Sequence, residues 1–405
     1  MSHRKKRIVF VDDELQVLAG LKRLLRPMRA EWDVVLANSG PEALAHLDKE
    51  PVDVVVTDMR MPGMDGAALL ERVCLRSPRT VRIILSGMAD KESTLRSVTV
   101  SHQFLSKPCD PKELVAVVER TCELQRILEA DRLREVVGRV KSLPLLPATT
   151  AALMEALRRE EPELDEIADI VTRDVGLAAN VLKLANSSYF GARKEIADIH
   201  QATVYLGMFT IRDLVLSAEV FTTFEGLAVD RQLLMQEQQR AEQIAQLARE
   251  IAGEGDLGDN AFLAGMLHDV GVLVQASHLP ADFERINDFI RSDDEHRSSV
   301  ERDVLGVTHG EIGAYLLGVW GLPYEIVEAV AFHHEPSRVP NAERHEILTA
   351  VHVADAFVEG FAARAEGSAP ALDHGYLARV GVTATELDRW QGLALRMLDP
   401  EEEAA

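Results

Sequence analysis

From the start of the chain to about residue 110, short apolar runs alternate with helical patterns. Arg7–Val11, Asp33–Leu36, Val52–Thr57, Val81–Leu85 and Gln103–Leu105 are brief and mostly rich in Val and Ile, as strands buried on both faces are. Between them, Gln16–Leu25 carries LxxLxxLL spacing and Gly66–Val73 has a similar apolar face. Repeated strand–helix units predict a parallel sheet with helices on both sides. Five such units make one doubly wound α/β domain of the flavodoxin-like kind.

The last helix of this set begins after Pro111. Leu114, Val117, Val118, Thr121, Leu124 and Leu128 keep a three-to-four spacing, and no Gly or Pro intervenes before Gly138. The pattern predicts one long helix joining two halves, with room for about two heptads of coiled coil. From Ser142 onward strand alternation disappears. Helical periodicity marks Leu164–Val171, Leu177–Ala185, Ile211–Val220, Gln239–Ala252, Asn260–Val274, Gly310–Val319, Tyr324–Ala331 and Ile347–Val358. Three parts result: residues 1–123 doubly wound, 124–141 a linker helix, and 142–400 all-α with a C-terminal helical extension.

Charge and cysteine content narrow the function. The 405 residues hold 44 Lys plus Arg against 66 Asp plus Glu, a net charge of −22 with His neutral. That balance argues against non-specific binding to a phosphate backbone, and with no basic recognition helix it predicts no direct DNA contact. Cys74, Cys109 and Cys122 are too few and too scattered for a disulfide framework, which fits a reducing cytoplasm. No apolar run approaches the roughly 18 residues of a membrane span. The basic start MSHRKKR is followed at once by IVFVDDE, too short an apolar stretch for a signal peptide.

The carboxyl ends of strands in a doubly wound sheet line one crevice. Asp12 and Asp13 follow the first strand, Asp58 ends the third, Ser86 the fourth, and Lys107 follows the fifth. Carboxylates so gathered repel each other unless a cation sits among them, and oxygen ligands suit Mg²⁺. A carboxylate flanked by a metal, a hydroxyl and an ammonium group is equipped to accept a phosphoryl group.

Residues 6–128 resemble a response-regulator receiver domain, with VDDE, TDMRMPGMDG, LSG and FLSKP in order. The resemblance implies that Asp58 is the phospho-acceptor. It also implies that Asp12, Asp13, Asp58 and the Arg60 carbonyl hold Mg²⁺, and that Ser86 and Lys107 contact the phosphoryl group. Phe104 matches the aromatic switch position. No element of that pocket is missing, so phosphorylation by a sensor histidine kinase is expected.

The helical half carries a second set of polar residues. His268-Asp269 closes an apolar helix, His309 opens another, His333-His334 ends a third, and His352 and Asp355 share a face of a fourth. Imidazoles and carboxylates from several helices can build a metal site, and such metals activate water for phosphoester hydrolysis. A lone helix-end His is more commonly a core residue; the adjacent His-Asp and His-His pairs are less ordinary.

From about Val140 to Asp355 the chain resembles the HD superfamily of metal-dependent phosphohydrolases, and more closely its HDOD branch. LPLLPATTAALMEAL, Ile170-Val-Thr-Arg-Asp174, Ala202-Thr-Val-Tyr-Leu-Gly207 and Trp320-Gly-Leu-Pro323 carry the resemblance. It implies His268, Asp269, His309, His333, His334 and Asp355 as a vestigial ligand set for Fe, Mn or Zn. Three departures stand out. The first family ligand, a His on the Gln239–Ala252 helix, is replaced by Arg240, which cannot ligate. The lysine that commonly follows His-Asp-x-Gly is Val272. No Gly-Tyr-Pro occurs between Leu279 and Glu301. The expectation is a non-catalytic HDOD output domain that binds an unidentified protein or nucleotide, with a homodimer allowed by the long helix. The alternative is a phosphorylation-gated metal-dependent phosphohydrolase or cyclic-nucleotide phosphodiesterase.

Overall fold

The computed structural model describes residues 5–86, 100–107, 109–124, 131–140, 143–157, 159, 162–186, 196–208, 210–211, 214, 230–293, 296–339, 346–362 and 371–399. The chain forms two compact units: the first takes Met1–Ser142 with Lys183–Glu195 and Gly318–Gly321, the second Leu143–Leu182, Ile196–Leu317 and Leu322–Ala405.

The first unit is built on five parallel strands in the order β2-β1-β3-β4-β5. They are β1 (Lys6–Val11), β2 (Trp32–Ala37), β3 (Val54–Asp58), β4 (Val81–Ser86) and β5 (Gln103–Ser106). Their helices are α1 (Leu15–Leu24), α2 (Gly40–Lys49), α3 (Gly66–Arg76) and α4 (Pro111–Leu124), with a 3-10 turn at Arg26–Ala30. Ile8, Val9 and Phe10 of β1 and Val54, Val55 and Val56 of β3 are wholly buried. Apolar on both faces, these strands need crossover helices to cover them, so the sequence-predicted doubly wound sheet is what forms.

Helix α5 (Asp131–Arg139) also belongs to this unit. Buried Arg82 on β4 donates Nη2 to the Gly138 carbonyl at 2.7 Å, Nη1 to Pro78 O and Nε to Val100 O. Gly138 must be glycine here: a Cβ would lie 1.9 Å from the Pro78 carbonyl oxygen. Residues 125–130 lie outside the described part, so the continuity of the expected linker helix falls there.

The second unit is helical. Its elements are α6 (Pro147–Ala156), α7 (Leu164–Thr172), α8 (Val175–Ala185), α9 (Ile199–Leu206), α10 (Arg231–Ala252), α11 (Asp256–Leu267), α12 (Val270–His278), α13 (Pro280–Asp293), α14 (Arg297–Leu305), α15 (His309–Val319), α16 (Tyr324–Phe332), α17 (Glu346–Ala362), α18 (His374–Arg379) and α19 (Ala384–Leu398). Helix α10 packs against α11 and α17, and α16 lies on α17. Small residues Ala241, Ala245 and Ala248 are buried on α10 and allow close approach. Of the expected helix Ile211–Val220, most lies outside the described residues. Among described residues, no helix is long and apolar enough to cross a membrane.

The periodic run Asn260–Val274 is two helices, α11 and α12, parted at His268-Asp269, the pair that the sequence placed at the end of an apolar helix. Asp269 leaves helical geometry at φ −100° and ψ 15° and becomes the N-cap of α12. Both flanking segments are buried nearly all round, so apolar spacing runs through the break without registering it.

Candidate functional sites

The first site lies at the carboxyl ends of the strands. Asp12 follows β1 and is almost fully buried; Asp58 closes β3. Lys107, just past β5, places Nζ 2.8 Å from Asp12 Oδ2 and 2.6 Å from Asp58 Oδ1. These two carboxylates hold the Lys107 ammonium above its ordinary range despite the opposing effect of burial. Asp12 Oδ1 accepts the Glu14 amide and Asp58 Oδ2 the Arg60 amide. Asp13 is exposed at the rim. Ser86 and Phe104 lie on β4 and β5, and their side chains fall outside the described part. Oxygen donors converging beside a fixed ammonium fit a small hard cation such as Mg²⁺ and an anionic phosphoryl group.

The second site is the heart of the helical unit, where the break at His268-Asp269 turns both side chains inward. Asp269 faces two ways. Its Oδ2 lies 3.5 Å from Arg240 Nη2 and 3.1 Å from His268 Nε2. Its Oδ1 lies 3.0 Å from His309 Nε2 and 3.7 Å from His333 Nε2.

On the Oδ2 side, Arg240 Nη2 reaches Asp355 Oδ1 and Glu359 Oε1, each at 2.9 Å. Burial opposes charge on Arg240, but Asp269 and Asp355 outweigh it and hold the group cationic. Burial raises Asp355, while Arg240 and His334 more than reverse that and keep it ionised. Glu359, one turn beyond Asp355, is pushed up to about 7 by burial and by the Asp355 charge. A guanidinium thus stands among three carboxylates.

On the Oδ1 side, ligand atoms of Asp269, His309, His333 and His334 all lie within 4.8 Å of one another. Close backbone approach makes this convergence: a Cβ on Gly271 would sit 1.9 Å from the His309 carbonyl oxygen, so α12 and α15 touch where only glycine fits. The imidazoles are also oriented from behind. His309 Nδ1 meets Glu301 Oε2 at 2.7 Å, His333 Nδ1 meets Val330 O at 2.8 Å, and His268 Nδ1 meets Gly265 O at 2.6 Å. With Nδ1 engaged, Nε2 points inward, as in metal-ligating histidines. His309 Nε2 and His333 Nε2 stand 3.3 Å apart, close to the roughly 3.3–3.5 Å edge of a tetrahedron with Zn–N bonds of about 2.0–2.1 Å. This donor set fits one borderline-soft divalent ion.

Sequence reasoning placed His352 beside Asp355, but the structure uses it elsewhere. His352 Nδ1 meets His333 O at 2.6 Å, and its Nε2 accepts the Asp373 amide at 2.9 Å. The sequence reading assigned no role in this site to three acids. Glu301, itself held by Arg297 at 3.0 Å, meets its partner His309 across a turn. Glu359 had a weak signal, four residues beyond Asp355 on one helix face. Glu237, one turn before Arg240, has its carboxyl pushed up by burial and by the Asp269 charge.

A parallel sheet with an acidic pocket is followed in one chain by a helical unit with a His-Asp centre, a two-part architecture. Comparison with known families agrees. The profile described as "Response regulator receiver domain" matches residues 8–119, and that described as "HDOD domain" matches residues 143–336. The chain belongs to the two-component response regulators that carry an N-terminal receiver domain and a C-terminal HDOD domain.

An uncharacterized protein of Treponema pallidum is 25% identical over 267 residues, covering 66% of this chain and 50% of that one. The hydrogenase transcriptional regulatory protein HoxA of Cupriavidus necator is 30% identical over 207 residues, or 48% of this chain and 42% of that one. This chain therefore spans half or less of these two relatives. The MmoQ response regulator of Methylococcus capsulatus, a solved structure, is 22% identical and covers 62% of this chain and 98% of its own, with a TM-score of 0.48.

Proposed function

We propose that Asp58 accepts a phosphoryl group from a sensor histidine kinase with Mg²⁺ bound among Asp12, Asp13, Asp58 and the Arg60 carbonyl. The HDOD domain then acts by gripping a protein or nucleotide, without hydrolysis. Phosphorylation adds a charge of about −1.5 to −2 against Lys107, with Ser86 and Phe104 as responding groups. To act as a switch it must favour one conformation by a differential free energy, typically about 1–3 kcal/mol. Cys74, Cys109 and Cys122 form no disulfide, which suits a reducing cytoplasm.

The observation that carries the non-catalytic reading is the Arg240 guanidinium at 2.9 Å from both Asp355 and Glu359. A fixed positive charge among these acids repels a metal ion at the same place. The test has two arms. Acetyl phosphate and Mg²⁺ should label the parent and leave Asp58→Asn unlabelled. A pull-down should then recover a partner whose yield depends on that label. Labelling of Asp58→Asn to the parent level would sink the receiver assignment.

The cluster of Asp269, His309, His333 and His334 favours a second reading, a metal-dependent phosphohydrolase. Bound there, a divalent ion would supply a Lewis acid and an activated water. Metal analysis of protein purified without chelator decides: about one Fe, Mn or Zn per chain, lost in His309→Ala, moves the assignment to an enzyme. Metal-free protein retains the binding role.

A further inference from the structure

Helix α15 is divided near its end: Gly318–Gly321 belongs to the first unit and residues 309–317 to the second. The last carbonyls of a helix lack intrahelical donors. Gly318 O accepts the Gly321 amide at 3.0 Å, in a turn that Gly321 closes at φ +85°. The next carbonyl is met by a side chain of the receiver sheet. Gln103 Nε2 donates to Val319 O at 2.9 Å and lies 3.3 Å from Gly318 O. Trp320 is fully buried, with Lys183 Nζ 4.5 Å from its ring centre. Lys183 and Trp320 also belong to the first unit, so this helix end is embedded there.

Gln103 opens β5, and Lys107 follows its last residue. Four strand steps, about 13 Å in all, separate the amide that caps α15 from the ammonium that bridges Asp12 and Asp58. Strand β5 is the edge of the sheet and pairs with β4 alone, from Ile83↔Gln103 to Ser86↔Ser106. A single ladder therefore resists its movement. Helix α15 spans about 15 Å from His309 to Val319. Its first turn has no slack: a Cβ on Gly271 would lie 1.9 Å from His309 O, and one on Gly310 2.8 Å from Val330 O. Interiors packed this closely transmit displacement.

We propose that β5 and α15 form one mechanical link, in which a shift of Lys107 toward a phosphoryl group on Asp58 passes through Gln103 to α15 and so to His309. The inference rests on the phosphorylation of Asp58 proposed above and adds the route by which the histidine centre senses it. Gln103 is a positioning residue, since its side chain holds a helix end and no reacting group. The link needs no ion at the histidine centre, because the helix carries it whether or not His309 binds one.

The test is hydrogen exchange of the full chain in Mg²⁺, with and without beryllofluoride, a stable mimic of an aspartyl phosphate. Peptides across residues 54–62 report the acceptor, and peptides across 306–319 report α15. In the parent, beryllofluoride should change exchange in both. Gln103→Met keeps the size of the side chain and loses its donor. In that variant the response at 54–62 should persist, while the response of α15 falls about fivefold or more, the low end of ordinary coupling between sites. A purely structural role would raise exchange in α15 equally with and without beryllofluoride and leave the difference between them unchanged; that result overturns the proposal. A parent that responds at 54–62 and not in α15 also overturns it, and leaves the phosphorylation of Asp58 standing. No response at either place in the parent removes that reading and this inference with it.

Discussion

Arg240 and Asp355 stand 115 residues apart in sequence and 2.9 Å apart in space. Helix α10 thus places a guanidinium among Asp269, Asp355 and Glu359, acids carried by two other segments of the fold. Burying one cation with three carboxylates holds only while the partners remain together, because removing one leaves uncompensated charge.

Arg240→Met therefore tests the assembly directly. Breaking a buried pair costs about 3–5 kcal/mol. Partial exposure of the Arg240 side chain reduces that, and a loss of about 2–3 kcal/mol is expected after solvent screening. Urea unfolding measures it. A loss near zero would mean that the acids re-protonate or rearrange at no cost.

Arg240→His restores an imidazole at the same place and removes the fixed charge. Metal content after purification without chelator should rise above that of the parent. An unchanged content would show that Arg240 is not what excludes the ion.

His309 gives a pH signature in chelated protein. Burial opposes its charge, but Glu301 and Asp269 outweigh it and push the group up to about 10. A pKa raised above the unfolded value of about 6.5 contributes stability that is complete below 6.5 and lost as pH rises toward 10. Thermal midpoints should decline across that window, and Glu301→Gln should flatten the decline. Because a ligand must be neutral, any metal bound at His309 should also bind more tightly as pH rises through this range.

In the receiver, Lys107 bridges Asp12 and Asp58 and so neutralises part of their repulsion. Lys107→Gln should make stability depend more steeply on Mg²⁺, read as a larger rise of the melting temperature on adding the ion than in the parent. Equal rises would indicate that the ammonium does not share the cation's task.

Gly138→Ala places a methyl group against the Pro78 carbonyl and must lift α5 off the sheet end that Arg82 anchors. Overpacking of this kind costs about 1–3 kcal/mol. Urea unfolding of the full chain, followed by probes of the first unit, reads it directly.

The sequence by itself determined the strand set, the parallel sheet and the acidic pocket. Each is local: Val-rich runs buried on both faces name the strands, and strand ends fix where Asp12, Asp58 and Lys107 must emerge. It also singled out Arg240, because helical register is countable along one helix. Only the tertiary structure decided the rest. How Asp269 is divided between Arg240 and the histidines depends on helices distant in sequence. The roles of Glu301, Glu359 and Glu237 depend on which helices approach, and that is set by small residues and tight crossings such as Gly271 against His309. His352 shows the converse: spacing put it with Asp355, while packing spent both its nitrogens on the backbone. Helix periodicity reports which face is buried, but partners across helices are chosen by packing between distant segments, which no local pattern records.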